Sequence, residues 1–251
     1  MEVAVLGPLL LSDGRQSFNI RAAKLRTLLA LLALNAGQVV TADELIDELW
    51  GEKPLSDAKN SLQANIARLR RILADLRLES PEDPLVRTVD NGYMLAVADE
   101  DVDSTPFLRR ADRAISLVNA RPEEAIALLR AALGLWRGSA LLNVVEGPRC
   151  RAAALALDER RKSAQEDLIT ARLQAGNARE VVPELRELIS QHPERERFSE
   201  QLMLALYRCG RQSEAIDVFH RTRNWLDREL GLLPGRGLSR IYQAILVQEP
   251  L

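Results

Sequence analysis

Hydrophobic and polar positions follow two rhythms along this chain, and each rhythm predicts a different kind of element. Over residues 2 to 20 the period is two. Val3 and Val5 alternate with polar or small neighbours, Asp13-Gly14 is a turn signal, and Phe18 and Ile20 alternate again, which predicts a small antiparallel sheet. From about Ala22 to Ala36 the spacing becomes helical, with Leu25, Leu28, Leu29 and Leu32 on one side and Gly37 as a stop signal. Thr41 and Glu44 have capping-box spacing, so a second helix is predicted from Ala42 to about Trp50 with Leu45, Ile46 and Leu49 inward. Gly51 and Pro54 then break the chain. A third helix runs from Ser56 to Leu76 with Leu62, Ile66, Leu69, Leu73 and Leu76 on one narrow stripe. The period returns to two around Asn91-Gly92, which lies between Leu85 to Asp90 and Tyr93 to Val97 and predicts a two-residue type I′ hairpin.

The third helix is the informative one, because its polar side is not an ordinary solvated face. Asn60, Ala64, Ala67 and Arg71 centre on that side, with Gln63 and Arg68 on its flanks and Arg70 nearer the buried edge. The two alanines lower the profile so that a neighbour can approach, while Asn, Gln and Arg carry paired donors and acceptors that match base edges or phosphates. Arginines kept only for solubility would leave a similar stripe. The order of elements separates the two readings: sheet, three helices and a terminal hairpin make a winged helix-turn-helix, in which the third helix enters a major groove.

Beyond this domain the rhythm is helical throughout. The acidic run DEDVDSTPF, residues 99 to 107, reads as poor core material, and Ser104 or Thr105 before Pro106 reads as a helix start. Helices are predicted at about 106 to 119, 122 to 136, 147 to 175, 178 to 191, 194 to 209, 212 to 229 and 235 to 247. Gly176 and Gly210 stand 34 residues apart, and the same offset pairs Val181 with Ala215 and Leu185 with Phe219, the period of tetratricopeptide repeats. Stacked repeats build a concave surface suited to a protein or peptide; a plain helical bundle is the alternative. The expected fold is mainly α with a small β part: an N-terminal winged helix-turn-helix domain over 1–98, a linker over 99–105, and an all-α, tetratricopeptide-like domain over 106–251.

Charge and composition narrow the partners. The 251 residues carry a formal net charge of −2, and 47% of them are hydrophobic, enough for two cores. Residues 1–98 hold 11 basic and 13 acidic side chains and the remainder 23 of each, which excludes a general polyanion coat. The positive charge is local: Lys59, Arg68, Arg70, Arg71 and Arg77 gather in the third helix, while Asp43, Glu44, Asp47, Glu48 and Glu52 gather upstream. No apolar run is long enough for a membrane span, and the start lacks the basic segment of a signal peptide. The two distant thiols, Cys150 and Cys209, are expected in a reduced cytoplasm. There is no phosphate-binding G-x-x-x-x-G-K-[ST] loop, and His192 and His220 form no zinc spacing with the cysteines, so no catalytic residue, metal or cofactor is expected.

Residues 1 to about 98 resemble the effector domain of OmpR/PhoB-class response regulators, most clearly in AKNSLQANIARLRRIL, where an isoleucine and an Arg-Leu-Arg run follow the base-reading turn. With ALGLWRGSAL at 132 to 141, LALYRCGRQSEAIDVF at 204 to 219 and LDRELGLLPGRGLSRIYQAIL at 226 to 246, the whole chain resembles the Streptomyces antibiotic regulatory protein family, in which a bacterial transcriptional activation domain follows the winged helix. The resemblance implies an activator of secondary-metabolite (antibiotic) biosynthesis genes that binds direct repeats in double-stranded DNA as a homodimer and recruits RNA polymerase holoenzyme. It places Asn60, Ala64, Asn65 and Arg68 at base-facing positions and Arg70 at a phosphate or groove contact. Helical geometry puts Asn65 toward the buried stripe, which favours Asn60, Ala64 and Arg68. Lys59 and Arg71 stand as phosphate partners and Thr88 matches a wing contact to the backbone. Asp90 and Asn91 occupy wing positions where basic or small residues are common in that class, leaving Arg87 as the wing's cation. Trp50, which the class can place near a phosphate, reads as core at the end of its helix. The competing function is a tetratricopeptide-like adaptor or ligand-sensing regulator with weak or no DNA binding, kept open by the acidic second helix and Asp90.

Overall fold

The structure, a computed structural model, describes residues 1–51, 57–76, 84–144 and 147–249. Glu52, Pro54, Ser56 and Arg77, named above, lie outside the described residues. The chain divides into two compact units, Met1–Ala111 with Ala131–Lys162, and Asp112–Arg130 with Ser163–Leu251.

In the first unit the two short sheets follow from the period-two segments. Strands β1 (Glu2–Ala4), β2 (Leu10–Ser12) and β3 (Ser17–Phe18) form an antiparallel sheet in that order. The Asp13 carboxylate accepts the Arg15 and Gln16 amides at 2.8 and 2.7 Å and fixes the turn before β3, and these bonds hold its pKa below the ordinary carboxylate range. Helix α1 (Ala23–Leu34) buries Leu25, Leu28, Leu29 and Leu32 as expected, and also Thr27 and Leu31, so it runs through the interior rather than along it. Strand β4 (Val40–Thr41) leads into α2 (Ala42–Trp50), whose Thr41–Glu44 capping box is fully formed. Helix α3 (Ala58–Asp75) packs on α1 and α2, and β5 (Val86–Val89) and β6 (Gly92–Leu95) form the terminal hairpin, with β6 between β4 and β5. This is a winged helix-turn-helix. Trp50 is half-buried, with Lys24 Nζ 4.7 Å from its ring centroid.

The hairpin turn differs from the sequence reading. Val89 pairs with Gly92, so the two loop residues are Asp90 and Asn91, and of these only Asp90 has a positive φ, 45°. A type I′ turn needs both positive, so the signal in Asn91-Gly92 had another origin. A Cβ on Gly92 would stand 2.4 Å from the Val40 carbonyl oxygen and 2.8 Å from Val39 Cγ1. The glycine is needed where β4 crosses close to β6, not at the turn.

The expected linker over 99–105 is likewise not a linker. Asp99–Asp101 is a 3₁₀ turn, Val102 bridges Val3 in parallel, and Val102 and Asp103 are 1% and 4% exposed. Asp103 accepts the Val5 amide at 2.7 Å and the Leu6 amide at 3.2 Å, and Arg137 stands 3.4 Å away. Burial raises the Asp103 pKa, against the pull of those amides and the guanidinium. The acidic run hides one carboxylate whose donors lie almost 100 residues away in sequence, which no local pattern reveals.

The first unit also takes in residues 131–162, beyond the expected boundary at 98. Phe107 meets Trp136 edge to face at 5.2 Å, and the Arg161 guanidinium lies over the Trp136 ring, 4.9 Å from its centroid. Asn143 accepts the Leu9 amide at 2.7 Å, and Arg26 Nε donates to the Asn143 carbonyl at 2.9 Å. At the start of helix α6, defined below, the Glu48 carboxylate accepts the Arg149 and Cys150 amides at 2.9 and 2.8 Å, and Arg149 pairs with Glu44 at 2.7 Å.

The remaining helices are α4 (Ser104–Ile115), α5 (Pro122–Leu133), α6 (Pro148–Gln174), α7 (Ala178–Gln191), α8 (Glu196–Arg208), α9 (Gln212–Trp225) and α10 (Arg236–Leu246). In the second unit α7 and α9 begin and end 34 residues apart, and Gly176 and Gly210, both at positive φ, precede them. The offset holds in the core: Val181 and Ala215 are buried, as are Leu185 and Phe219, and Ile169 and Met203. After α9 the register is lost, because a π-helical turn (Leu226–Leu230) and Gly231 intervene before α10, whose Tyr242 stacks on Phe219 at 3.9 Å.

Candidate nucleic-acid interface

Helix α3 is built from its N-cap forward. The Asp57 carboxylate accepts the Asn60 amide at 3.3 Å and also the Asn60 side-chain amide, so the first turn is fixed before any apolar contact is made. Leu62, Ile66, Leu69 and Leu73 are then buried to 2% exposure or less. Burying that stripe forces the opposite side outward: Lys59, Asn60, Gln63, Ala64, Ala67, Arg68 and Arg71 are all exposed.

The expected site residues separate into three groups. Asn60, Ala64, Arg68, Lys59 and Arg71 share the exposed face. Asn65 does not: it is half-buried and its amide donates to the Ser61 carbonyl at 2.8 Å within the helix, which removes the side chain from that face. Arg70 and Thr88 are brought to one another. Arg70 Nε donates to the Val86 carbonyl at 2.8 Å and its terminal nitrogen to Thr88 Oγ1 at 2.9 Å, so the guanidinium fastens the wing to α3. Arg87 is exposed on β5, one residue before Thr88. Between helix and wing lies a notch of about 260 Å³ lined by Lys59, Gln63, Thr88, Asp90, Asn91 and Tyr93, with Ala42 and Leu62 at its base.

Gln63 is exposed on this face together with Asn60, and its helical angle, on the flank beyond Ala67, was the signal for it. Two of the upstream acids, Glu44 and Glu48, are engaged away from this face, while Asp43 and Asp47 are exposed on α2. Glu44 caps α2 and pairs with Arg149; the Thr41 amide and hydroxyl, then Arg149, hold its carboxyl below the ordinary range. Glu48, 3% exposed, is spent on the start of α6. Among the described residues no group of His, Cys, Asp or Glu is arranged to hold a metal ion, and no helix is long and apolar enough to cross a membrane.

Comparison with known proteins agrees with this architecture. Residues 20–95 match the family model for the C-terminal domain of transcriptional regulatory proteins, and residues 102–246 match that for the bacterial transcriptional activator domain. The second match begins inside the segment that packs with the winged helix. The chain is 41% identical to the transcriptional regulator RedD of Streptomyces coelicolor over 251 residues, covering all of this chain and 72% of RedD. It is 35% identical to the regulatory protein DnrI of Streptomyces peucetius, covering 100% of this chain and 93% of DnrI. A solved structure of Mycobacterium tuberculosis EmbR in complex with a low-affinity phosphopeptide superposes with a TM-score of 0.92 at 31% identity, over all of this chain and 66% of that one. The chain belongs to the Streptomyces antibiotic regulatory protein family, DNA-binding transcriptional activators in which an OmpR/PhoB-type winged helix is followed by a bacterial transcriptional activator domain.

Proposed function

We propose that this chain activates secondary-metabolite biosynthesis genes in the cytoplasm by binding direct repeats in duplex DNA through α3 and recruiting RNA polymerase holoenzyme. The observation that carries this reading is the exposed face of α3, where two alanines are flanked by Asn60, Gln63 and Arg68. Ala64 is suited to a thymine methyl, Asn60 and Gln63 to an adenine edge, and Arg68 to guanine. Lys59 and Arg71 border the same face and contact phosphates, which fixes register without reading sequence. Arg70 and Thr88 act through the wing's position. Two protomers on direct repeats dock head to tail, since a two-fold dimer calls for a palindrome instead. The concave tetratricopeptide-like helices then present a surface to polymerase.

The adaptor alternative loses part of its support, because Glu44 and Glu48 face residues of the same unit; Asp90 still stands beside the α3 face. Selection of bound duplexes from random DNA with the full-length protein, followed by anisotropy across salt concentrations, tests the reading. A repeated motif with a steep salt slope is expected, and Arg68→Ala should weaken the selected site by about 1–3 kcal/mol. Absence of any enriched sequence would overturn it.

A further inference from the structure

We propose that Asp90 is an electrostatic brake on DNA affinity: its carboxylate, in the notch between α3 and the wing, opposes contact with every phosphate backbone and lowers binding to specific and non-specific duplexes alike. The inference rests on α3 being the DNA-reading helix. The notch joins Lys59 and Gln63 of α3 to Thr88, Asp90 and Asn91 of the hairpin. A phosphate seated there finds one cation, Lys59, and one anion, Asp90, among the neutral hydrogen-bonding side chains Gln63, Thr88, Asn91 and Tyr93. Phosphates carry no sequence information, so a notch with Lys59 alone would add the same affinity to any duplex. Asp90 offsets that cation and leaves discrimination to the base-facing residues of α3.

The backbone does not require the charge. Asp90 has φ 45°, in the left-handed region where Asn is tolerated as well as Asp, and it is exposed at the wing tip. An asparagine would satisfy the turn equally, so what the acid adds is its electrostatics. At about 8 Å in water one such charge changes binding to a phosphate roughly 2-fold, and two phosphates in reach give about 5-fold.

The test compares full-length wild type, Asp90→Asn, Lys59→Ala and the double variant on the selected duplex and on a scrambled one, by anisotropy over a range of salt. Asp90→Asn should bind both duplexes about 5-fold more tightly, with the slope of log affinity against log salt steeper by about one. Lys59→Ala should shift the slope by about one in the opposite direction, and the double variant should return to the wild-type slope. Specific binding by wild type with unchanged or weaker binding of the scrambled duplex by Asp90→Asn would overturn the proposal alone. Failure of wild type to bind any duplex would overturn it together with the reading on which it rests.

Discussion

Replacing Glu48 by alanine removes the backbone cap that the helix-turn-helix supplies to the first turn of α6, leaving the Arg149–Glu44 pair in place. The carboxylate is 3% exposed and accepts the Arg149 and Cys150 amides at 2.9 and 2.8 Å. Both donors are in the first turn of a helix, where no intrahelical acceptor exists, so truncation leaves them unsatisfied. Hydrogen bonds to a charged group contribute about 1.5–3 kcal/mol each, and an anion at a helix N-terminus adds up to about 2 kcal/mol when partly buried. Against this stands the desolvation cost of a buried carboxylate, several kcal/mol, which the variant no longer carries. The expected net loss is about 2–4 kcal/mol, a large share of the stability of a domain. Trp50 and Trp136 both lie in the first unit, so in a Trp225→Phe background intrinsic fluorescence reports that unit during guanidinium unfolding. Glu48→Ala should shift the midpoint markedly and Glu48→Gln, which keeps one acceptor oxygen, about half as far. A loss under about 1 kcal/mol for Glu48→Ala would refute the assignment of Glu48 as the cap of α6.

Three further outcomes are expected. Arg70→Ala should destabilise the first unit by about 1–2 kcal/mol through its lost bonds to Val86 and Thr88, measurable in the same unfolding assay, whereas Arg68→Ala should leave stability unchanged. A fragment ending at Ala98 loses the acceptors of the Val5, Leu6 and Leu9 amides and should show no cooperative unfolding by circular dichroism; a sharp transition would show that the winged helix stands without residues 99–162. The folded pKa of Glu44 lies below its unfolded value of 4.5, so its contribution to stability is complete above that pH and lost as pH falls through the folded value. Glu44→Gln should therefore flatten the acid limb of a stability–pH profile measured between pH 6 and 3, without changing its neutral limb's slope.

Local elements were legible wherever one short stretch contained its own cause. The capping box of α2 needs only Thr41 and Glu44, three positions apart, and the burial stripe of α3 repeats within each turn. The 34-residue repeat was visible for the same reason, since each helix pair solves the same packing problem as its neighbour. The candidate site was readable as a face, including Asn65's departure from it, because helical geometry alone assigns the side of each residue. It was not readable as a set of partners. Arg70 was expected near the buried edge of the helix at a phosphate or groove contact, and only the position of β5 gives it the Val86 carbonyl and Thr88.

By itself, then, the sequence determined the periodicity of the elements, their order and the polar face of α3, because each depends on interactions within a few turns or one hairpin. Tertiary structure decided where the compact unit ends and what the buried charges do. Asp103 and Glu48 sit in acidic runs that read as solvated, yet their acceptor atoms are matched by amides about 100 positions away. Gly92 shows the same division: its neighbours in sequence point to a turn, and its neighbours in space, Val39 and Val40, are what exclude a side chain. A buried polar group must find a partner, but the chain can supply that partner from any distance, and only the folded backbone says which.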